Sequence, residues 1–114
     1  AQQEQADNAR PEIASQVENW DSYDVVFVGY PNWWSELPMA VYTFIEKHDW
    51  NGKIIAPFCT HEGSGLSATE RHIQSACKGA KVLRGMAIQG STAQHDTIAT
   101  RKAVQTWIDI LRQQ

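Results

Sequence analysis

The sequence predicts an α/β domain built on a parallel sheet. Two short runs, Val25–Gly29 and Ile54–Cys59, are rich in β-branched and apolar residues on both faces, the pattern of strands covered by helices above and below. Stretches with apolar residues at helical spacing lie between and around them. Proline and glycine punctuate the joins. The resulting order, α-β-α-β-α-β-α, calls for right-handed crossovers between parallel strands.

Each element has its own grounds. Residues 1–9 are polar and read as a loose arm, with the domain proper over 10–114. Asn8 or Asp7 can cap a first helix. Pro11 suits its first turn, and Ile13, Val17 and Trp20 recur at helical spacing up to about Asn19 or Trp20. Asp21 and Ser22 turn the chain into the strand from Val25, which Gly29 and Pro31 stop. Pro38 starts a second helix with Met39, Tyr42, Phe44 and Ile45 inward, and Asn51-Gly52 turns into the strand Ile54–Cys59. Pro57 sits awkwardly in that strand, but its flanks are apolar. A Gly-bearing loop, Thr60–Gly65, precedes a third helix from Ser67 to Ala76, with Ser67 and Glu70 as a capping box. Val82–Ile88 is the third strand, weakened by Arg84 and Gly85, and Gly90–Thr92 is a loop. The last helix spans Asp96–Leu111, with Ile98, Val104, Trp107, Ile108 and Leu111 on one side.

Composition narrows the function. The 114 residues suffice for one domain, and 42% hydrophobic with 20% charged residues is a globular balance. A net charge of -3 provides no footprint for nucleic acid. No run approaches the roughly 20 apolar residues of a membrane helix, and no signal peptide is visible. Cys59 and Cys77 form no disulfide framework; they suit the core of a protein in a reducing compartment, hence a cytoplasmic location. The chain begins at Ala1 rather than Met, which leaves open a piece of a longer protein.

Two loops carry the candidate chemistry. Pro31-Asn32-Trp33-Trp34 follows the carboxyl end of a strand, the edge where open α/β sheets bind ligands. Two indoles there either stack on a flat ring or cover the sheet edge. Thr60-His61-Glu62-Gly63-Ser64-Gly65 follows the next strand, so both loops open on the same edge. Its glycines let backbone N–H groups approach a ligand, or simply make a turn. It lacks the spacing and lysine of a P-loop and the spacing of a dinucleotide fingerprint. His61 is either a proton donor beside a reacting ring or a solvent-facing histidine. No paired spacing among His48, His61, His72, His95 and the cysteines supports a metal site. Cys59 has no flanking base for a nucleophile.

These two stretches, Tyr23 through Trp34 and Pro57 through Gly65, resemble the flavodoxin-like proteins, in the bacterial FMN-binding branch with a tyrosine-proline-x-tryptophan-tryptophan loop. The resemblance runs from about residue 8 onward. It implies a three-layer parallel sheet with the flavin at the switch point. Val25–Gly29, Ile54–Cys59 and Val82–Ile88 would be the family's strands 3, 4 and 5. It also implies that Pro31, Asn32, Trp33 and Trp34 line the ring face, and that Thr60, His61, Glu62, Gly63, Ser64 and Gly65 reach its edge. The family's first strand, phosphate loop, first helix and second strand have no counterpart, so the sheet is expected to be incomplete. Loss of the phosphate loop should weaken FMN binding, and Val25–Gly29 should become an exposed edge that pairs with another copy or a complementing chain. The implied function is electron transfer or an FMN-dependent oxidoreductase, with NAD(P)H as donor and a quinone-type acceptor. The alternative is a truncated scaffold that binds no cofactor and acts in protein association.

Overall fold

Two apolar strands pair in parallel and set the position of everything else. The structure, a computed structural model, describes residues 2–113. Strand β1 (Val25–Pro31) lies against β2 (Ile54–His61) in register from Val25↔Ile54 to Pro31↔Thr60. On the other side β2 pairs in parallel with β3 (Lys81–Val82) and β4 (Met86–Gln89). Helices α2 (Met39–Glu46) and α3 (Thr69–Ala76) cover one face of the sheet. There Val28, Tyr30, Leu37, Ile45, Trp50, Ile55, Cys59, Ile73 and Cys77 form the core. Helix α5 (Thr97–Leu111) covers the other face, with Trp107 edge-on to Phe27 at 5.7 Å and tilted on Phe58 at 6.0 Å. Gly29 is bare because Phe58 lies across it: a Cβ there would come within 2.2 Å of the ring. The result is the expected three-layer α/β arrangement around a parallel sheet. No helix among the described residues is long and apolar enough to cross a membrane.

The predicted third strand is one strand broken in two, and Pro57 breaks it. The Leu83 N–H donates to the Ile55 carbonyl at 2.8 Å. The next donor needed on that side of β2 is the Pro57 nitrogen, which has no hydrogen. Pairing resumes one residue out of step, so the advance from Ile55 to Phe58 is matched by the longer advance from Val82 to Met86. That added residue is a bulge, and it reverses the phase of the side chains. Val82 and Ala87 both pack against the core, although an unbroken alternation would turn one of them away. The Glu70 carboxylate closes the gap by accepting the Gly85 N–H at 2.7 Å.

Several expectations are corrected. Residues 10–19 form no helix; the chain runs irregularly to a 3-10 turn at Trp20–Ser22. Ile13, Val17 and Trp20 have the right spacing, but a single short amphipathic helix needs a surface to bury its stripe. Here the sheet ends at β1, and Val17 stays 39% exposed. The segment is held instead by buried Lys53, whose Nζ donates to the carbonyls of Trp20 and Tyr23 and sits 4.8 Å from the Trp20 ring. The polar arm contains a short helix, α1 (Gln2–Ala6), and Gly90–Thr92 opens another, α4 (Gly90–His95), rather than a loop. Helix α3 begins at Thr69, with Ser67 outside it at φ 52, so the capping box does not form. Asp96 caps α5 by accepting the Ala99 N–H, and Ile98 points outward at 82% exposure. Along α2, Thr43 is buried and Tyr42 and Phe44 only partly so. Val25–Gly29 is an edge among the described strands, as the missing family strands imply and not as its two apolar faces alone suggest, with Val25 and Phe27 about half exposed.

Burial sets the alkaline limit of the fold. Both cysteines are free and almost fully buried. Burial raises the Cys59 thiol, with the nearby Glu70 charge adding to it, and pushes Cys77 up to about 12. Burial likewise pushes Tyr30 up to about 12, against its hydrogen bond with Thr69, which lowers it. The fold therefore favours the neutral forms. Their contribution is intact below the ordinary values of 9.0 and 10.0 and is lost as pH climbs towards 12. Urea midpoints should hold steady to about pH 8.5 and correspond to a loss of about 3 kcal/mol near pH 10.5. An unchanged midpoint across that range would contradict this account.

Candidate functional site

The two candidate loops meet, and one side chain joins them. Pro31 ends β1 opposite Thr60, and the Asn32 N–H continues the ladder to the Thr60 carbonyl at 2.8 Å. Asn32 is 7% exposed. Its Nδ2 donates to the Gly65 carbonyl at 2.7 Å, to Ser67 Oγ at 3.1 Å and, more weakly, to Ser64 Oγ at 3.4 Å. An amide has two hydrogens to share among these acceptors, so the Trp loop and the Gly loop are stapled edge to edge. Asn32 Oδ1 is buried and has no partner. Beneath the staple, Tyr30 OH donates to Thr69 Oγ1 at 2.8 Å, and Thr69 Oγ1 donates to the Leu66 carbonyl at 2.5 Å. This pins the end of β1 to the start of α3.

The indoles stand on a strained turn. The Trp33 N–H donates to the Glu36 carbonyl at 3.1 Å and the Glu36 N–H returns to the Trp33 carbonyl at 3.0 Å. The two central residues, Trp34 and Ser35, have φ of 54 and 59. Positive φ at both centres is the pattern of a type I′ turn, which favours Gly, Asn and Asp. Bulky Trp34 there costs on the order of 1–2 kcal/mol. The turn leaves Trp33 46% and Trp34 62% exposed. Neither indole is among the ring contacts that tie Trp20, Trp50 and Trp107 into the protein.

The second loop is shorter than predicted. Thr60 and His61 belong to β2, so only Glu62 to Gly65 turns. His61 Nδ1 accepts the Gly63 N–H at 2.9 Å, which fixes the ring over its own loop and leaves Nε2 to carry the proton. Gly63 and Gly65 have φ of 133 and 64, with open space where a Cβ would stand. Glu62 turns away towards Gly90, where a Cβ would meet its Oε1 at 2.8 Å. Of the predicted residues, Pro31, Asn32, Thr60, Ser64 and Gly65 are thus brought together directly. Trp33 and Trp34 rise beside them, and Glu62 faces the neighbouring helix. Cys59 lies under the staple, its Sγ 3.7 Å from the Gly65 carbonyl, a buried thiol without a base.

Sequence reasoning missed the residues that support the loops. Ser67 and Glu36 contact them directly and Tyr42 and His72 do so through Glu36, and their only sequence signal is nearness to the Trp pair and the glycines. A further feature lies along β1. A groove of about 520 Å³ is lined by Val25–Gly29 from both faces of the strand, by Ala40, Val41 and Phe44 of α2, and by Val17, Trp20 and Tyr23. It follows the strand edge rather than the gap between the loops.

Comparison with known proteins agrees with this fold. The profile of the flavodoxin family matches residues 2–110. No curated protein matches the chain. A structure of a candidate flavoprotein from Bacteroides uniformis is 31% identical, with a TM-score of 0.77 over 93% of this chain and 64% of that one. Another from Bacteroides eggerthii is 33% identical, with a TM-score of 0.71 over 94% and 63%. A flavoprotein from Lactobacillus acidophilus, solved in complex with FMN, is 24% identical with a TM-score of 0.62 over 81% and 61%, a likeness of fold. The chain spans under two thirds of the length of each.

Proposed function

The chain belongs to the flavodoxin family, and from that premise we propose that it is a flavin-binding redox module whose two stapled loops hold the isoalloxazine ring of FMN. The observation that carries this reading is the Asn32 staple, which sets two exposed indoles and a glycine turn on one rim and leaves a buried acceptor, Oδ1, unpaired there. Trp33 and Trp34 would cover a ring face and shed water from it. Backbone N–H groups of the Glu62–Gly65 turn, other than that of Gly63, would meet its polar edge, and Pro31 ends the strand so that the indoles follow at once. The bound ring supplies electron uptake and release; the protein orients it and tunes it by where donors sit. Electron transfer is the proposed role, and two free buried thiols suit a reducing compartment such as the cytoplasm.

The ring end fits these residues better than the phosphate end. Residues 31–37 and 60–67 contain no Lys or Arg. The indoles and N–H groups suit a flat heterocycle with a polar rim, whereas a phosphate dianion finds no cation on either loop.

A second reading is favoured by the groove along β1. An edge strand apolar on both faces is a template for another strand. A scaffold that associates through it, with itself or with a complementing segment, needs no cofactor.

One titration separates the two. Riboflavin and FMN are each added to the purified protein, following flavin and tryptophan fluorescence, with light scattering on the same samples. The redox module should quench both flavins with affinities within about threefold of each other, under 1 kcal/mol, because the phosphate adds little. Indifference to both flavins, with a mass above the monomer, would establish the scaffold instead. A monomer that holds FMN far more tightly than riboflavin would refute the account of the phosphate end.

A further inference from the structure

We infer that Glu36 is the positioning residue of the tryptophan turn, clamping its base to two helices through one carboxylate oxygen. Glu36 closes the turn with its backbone and then turns its side chain inward, where 19% remains exposed. Its Oε1 accepts from three donors on three different supports. The Leu37 N–H lies at 2.8 Å, just ahead of α2. Tyr42 OH, from α2, lies at 2.6 Å. His72 Nδ1, from α3, lies at 2.7 Å. A surface ion pair alone would be worth little. Three short, convergent, partly buried bonds to a charged oxygen belong to a stronger class.

The need for a clamp follows from the turn. Trp34 and Ser35 occupy positive-φ positions without Gly, Asn or Asp, so the local sequence does not favour the conformation that presents the indoles. Something outside the turn must hold it, and strain persists only where the surroundings over-determine it. The clamp is itself supported: Arg10 lies over the Tyr42 ring at 5.0 Å and pairs with Glu46 at 3.0 Å. Burial, followed by the Glu36 carboxylate, raises the Tyr42 hydroxyl above its ordinary range and keeps it a donor. On the far side, Gln5 of α1 reaches the Trp34 carbonyl at 3.4 Å, a weaker contact. Glu36 is not one of the proposed flavin contacts. It acts through Trp33 and Trp34, and its consequence for ligand binding rests on the flavin reading, whereas the restraint on the turn does not.

Indole N–H resonances test this without any flavin. Trp20, Trp50 and Trp107 donate to the carbonyls of Asp49, Ile45 and Arg84 and serve as internal references. In Glu36→Ala the Trp33 and Trp34 signals should move to the position of free indole and narrow, while the reference signals stay put. Glu36→Gln, which keeps an acceptor oxygen, should restore much of the wild-type position. If Glu36→Ala does not fold, Tyr42→Phe and His72→Phe each remove one donor and should shift the same two signals less. Wild-type Trp33 and Trp34 signals in a folded Glu36→Ala protein, or in both single-donor variants, would overturn the inference. Riboflavin affinity of Glu36→Ala should fall about tenfold as the indoles lose their fixed presentation. Should the wild type bind no riboflavin, the flavin reading fails and the indole signals still decide the clamp.

Discussion

Replacing Trp107 with alanine is expected to cost about 3–5 kcal/mol, the range for deleting a buried aromatic side chain. Trp107 is the buried residue of α5, and its indole is the contact through which that helix grips the sheet. The ring stands edge-on to Phe27 and tilted against Phe58, and its Nε1 donates to the Arg84 carbonyl at 2.8 Å, inside the bulge. One side chain therefore joins β1, β2 and the interrupted strand. Native domains are stable by only about 5–15 kcal/mol, so the variant should melt far earlier and expose α5 to protease first. Trp107→Phe is the control. It keeps most of the ring and forfeits the hydrogen bond, for about 1 kcal/mol. A Trp107→Ala urea midpoint within 1 kcal/mol of the wild type would show that α5 is held by its remaining apolar residues instead.

The second large effect belongs to Asn32. Asn32→Ala should cost about 1–3 kcal/mol, because the Gly65 carbonyl and the Ser67 hydroxyl lose their shared donor and the two loops lose the side chain that joins them. Riboflavin affinity should fall by more than about tenfold if the staple sets the gap between the loops. Asn32→Asp is the sharper comparison. It matches the shape but offers only acceptors, and so turns a carboxylate towards the Gly65 carbonyl. It should destabilise more than alanine above the carboxylate's titration and recover in acid. Thermal melts with a riboflavin titration check both variants. Asn32→Asp as stable as the wild type at neutral pH would mean that the amide does not donate across the loops.

The sequence made the sheet legible where the physics is local. Val25-Val26-Phe27-Val28 and Ile54-Ile55-Ala56 are β-branched and apolar on both faces, and both became paired strands. Trp107 and Val104 lie on a long stripe with a capping Asp96, and α5 followed. What failed depended on neighbours. The stripe of Ile13, Val17 and Trp20 is a helical signal, but only Trp20 packs on the core and Val17 stays exposed, so no helix forms to bury it. Pro57 was visible as an oddity in β2, while its effect falls on the adjacent strand, at Leu83 to Gly85, where only the ladder reveals it. At the site, the Trp pair and the glycines announced themselves by residue type. Glu36, Tyr42 and His72 did not. Their contact is made across α2, α3 and a turn whose positive φ values have no glycine to mark them.

The open side of β1 has a thermodynamic consequence as well. On the association reading, a mate that pairs with the amides of β1 and fills the groove of about 520 Å³ beside it would tie folding to mass action. Dilution would then remove part of the protein's resistance to heat, and concentration would restore it or divert it into second-order clumping. For such a chain a melting temperature has meaning only alongside the molarity at which it was taken.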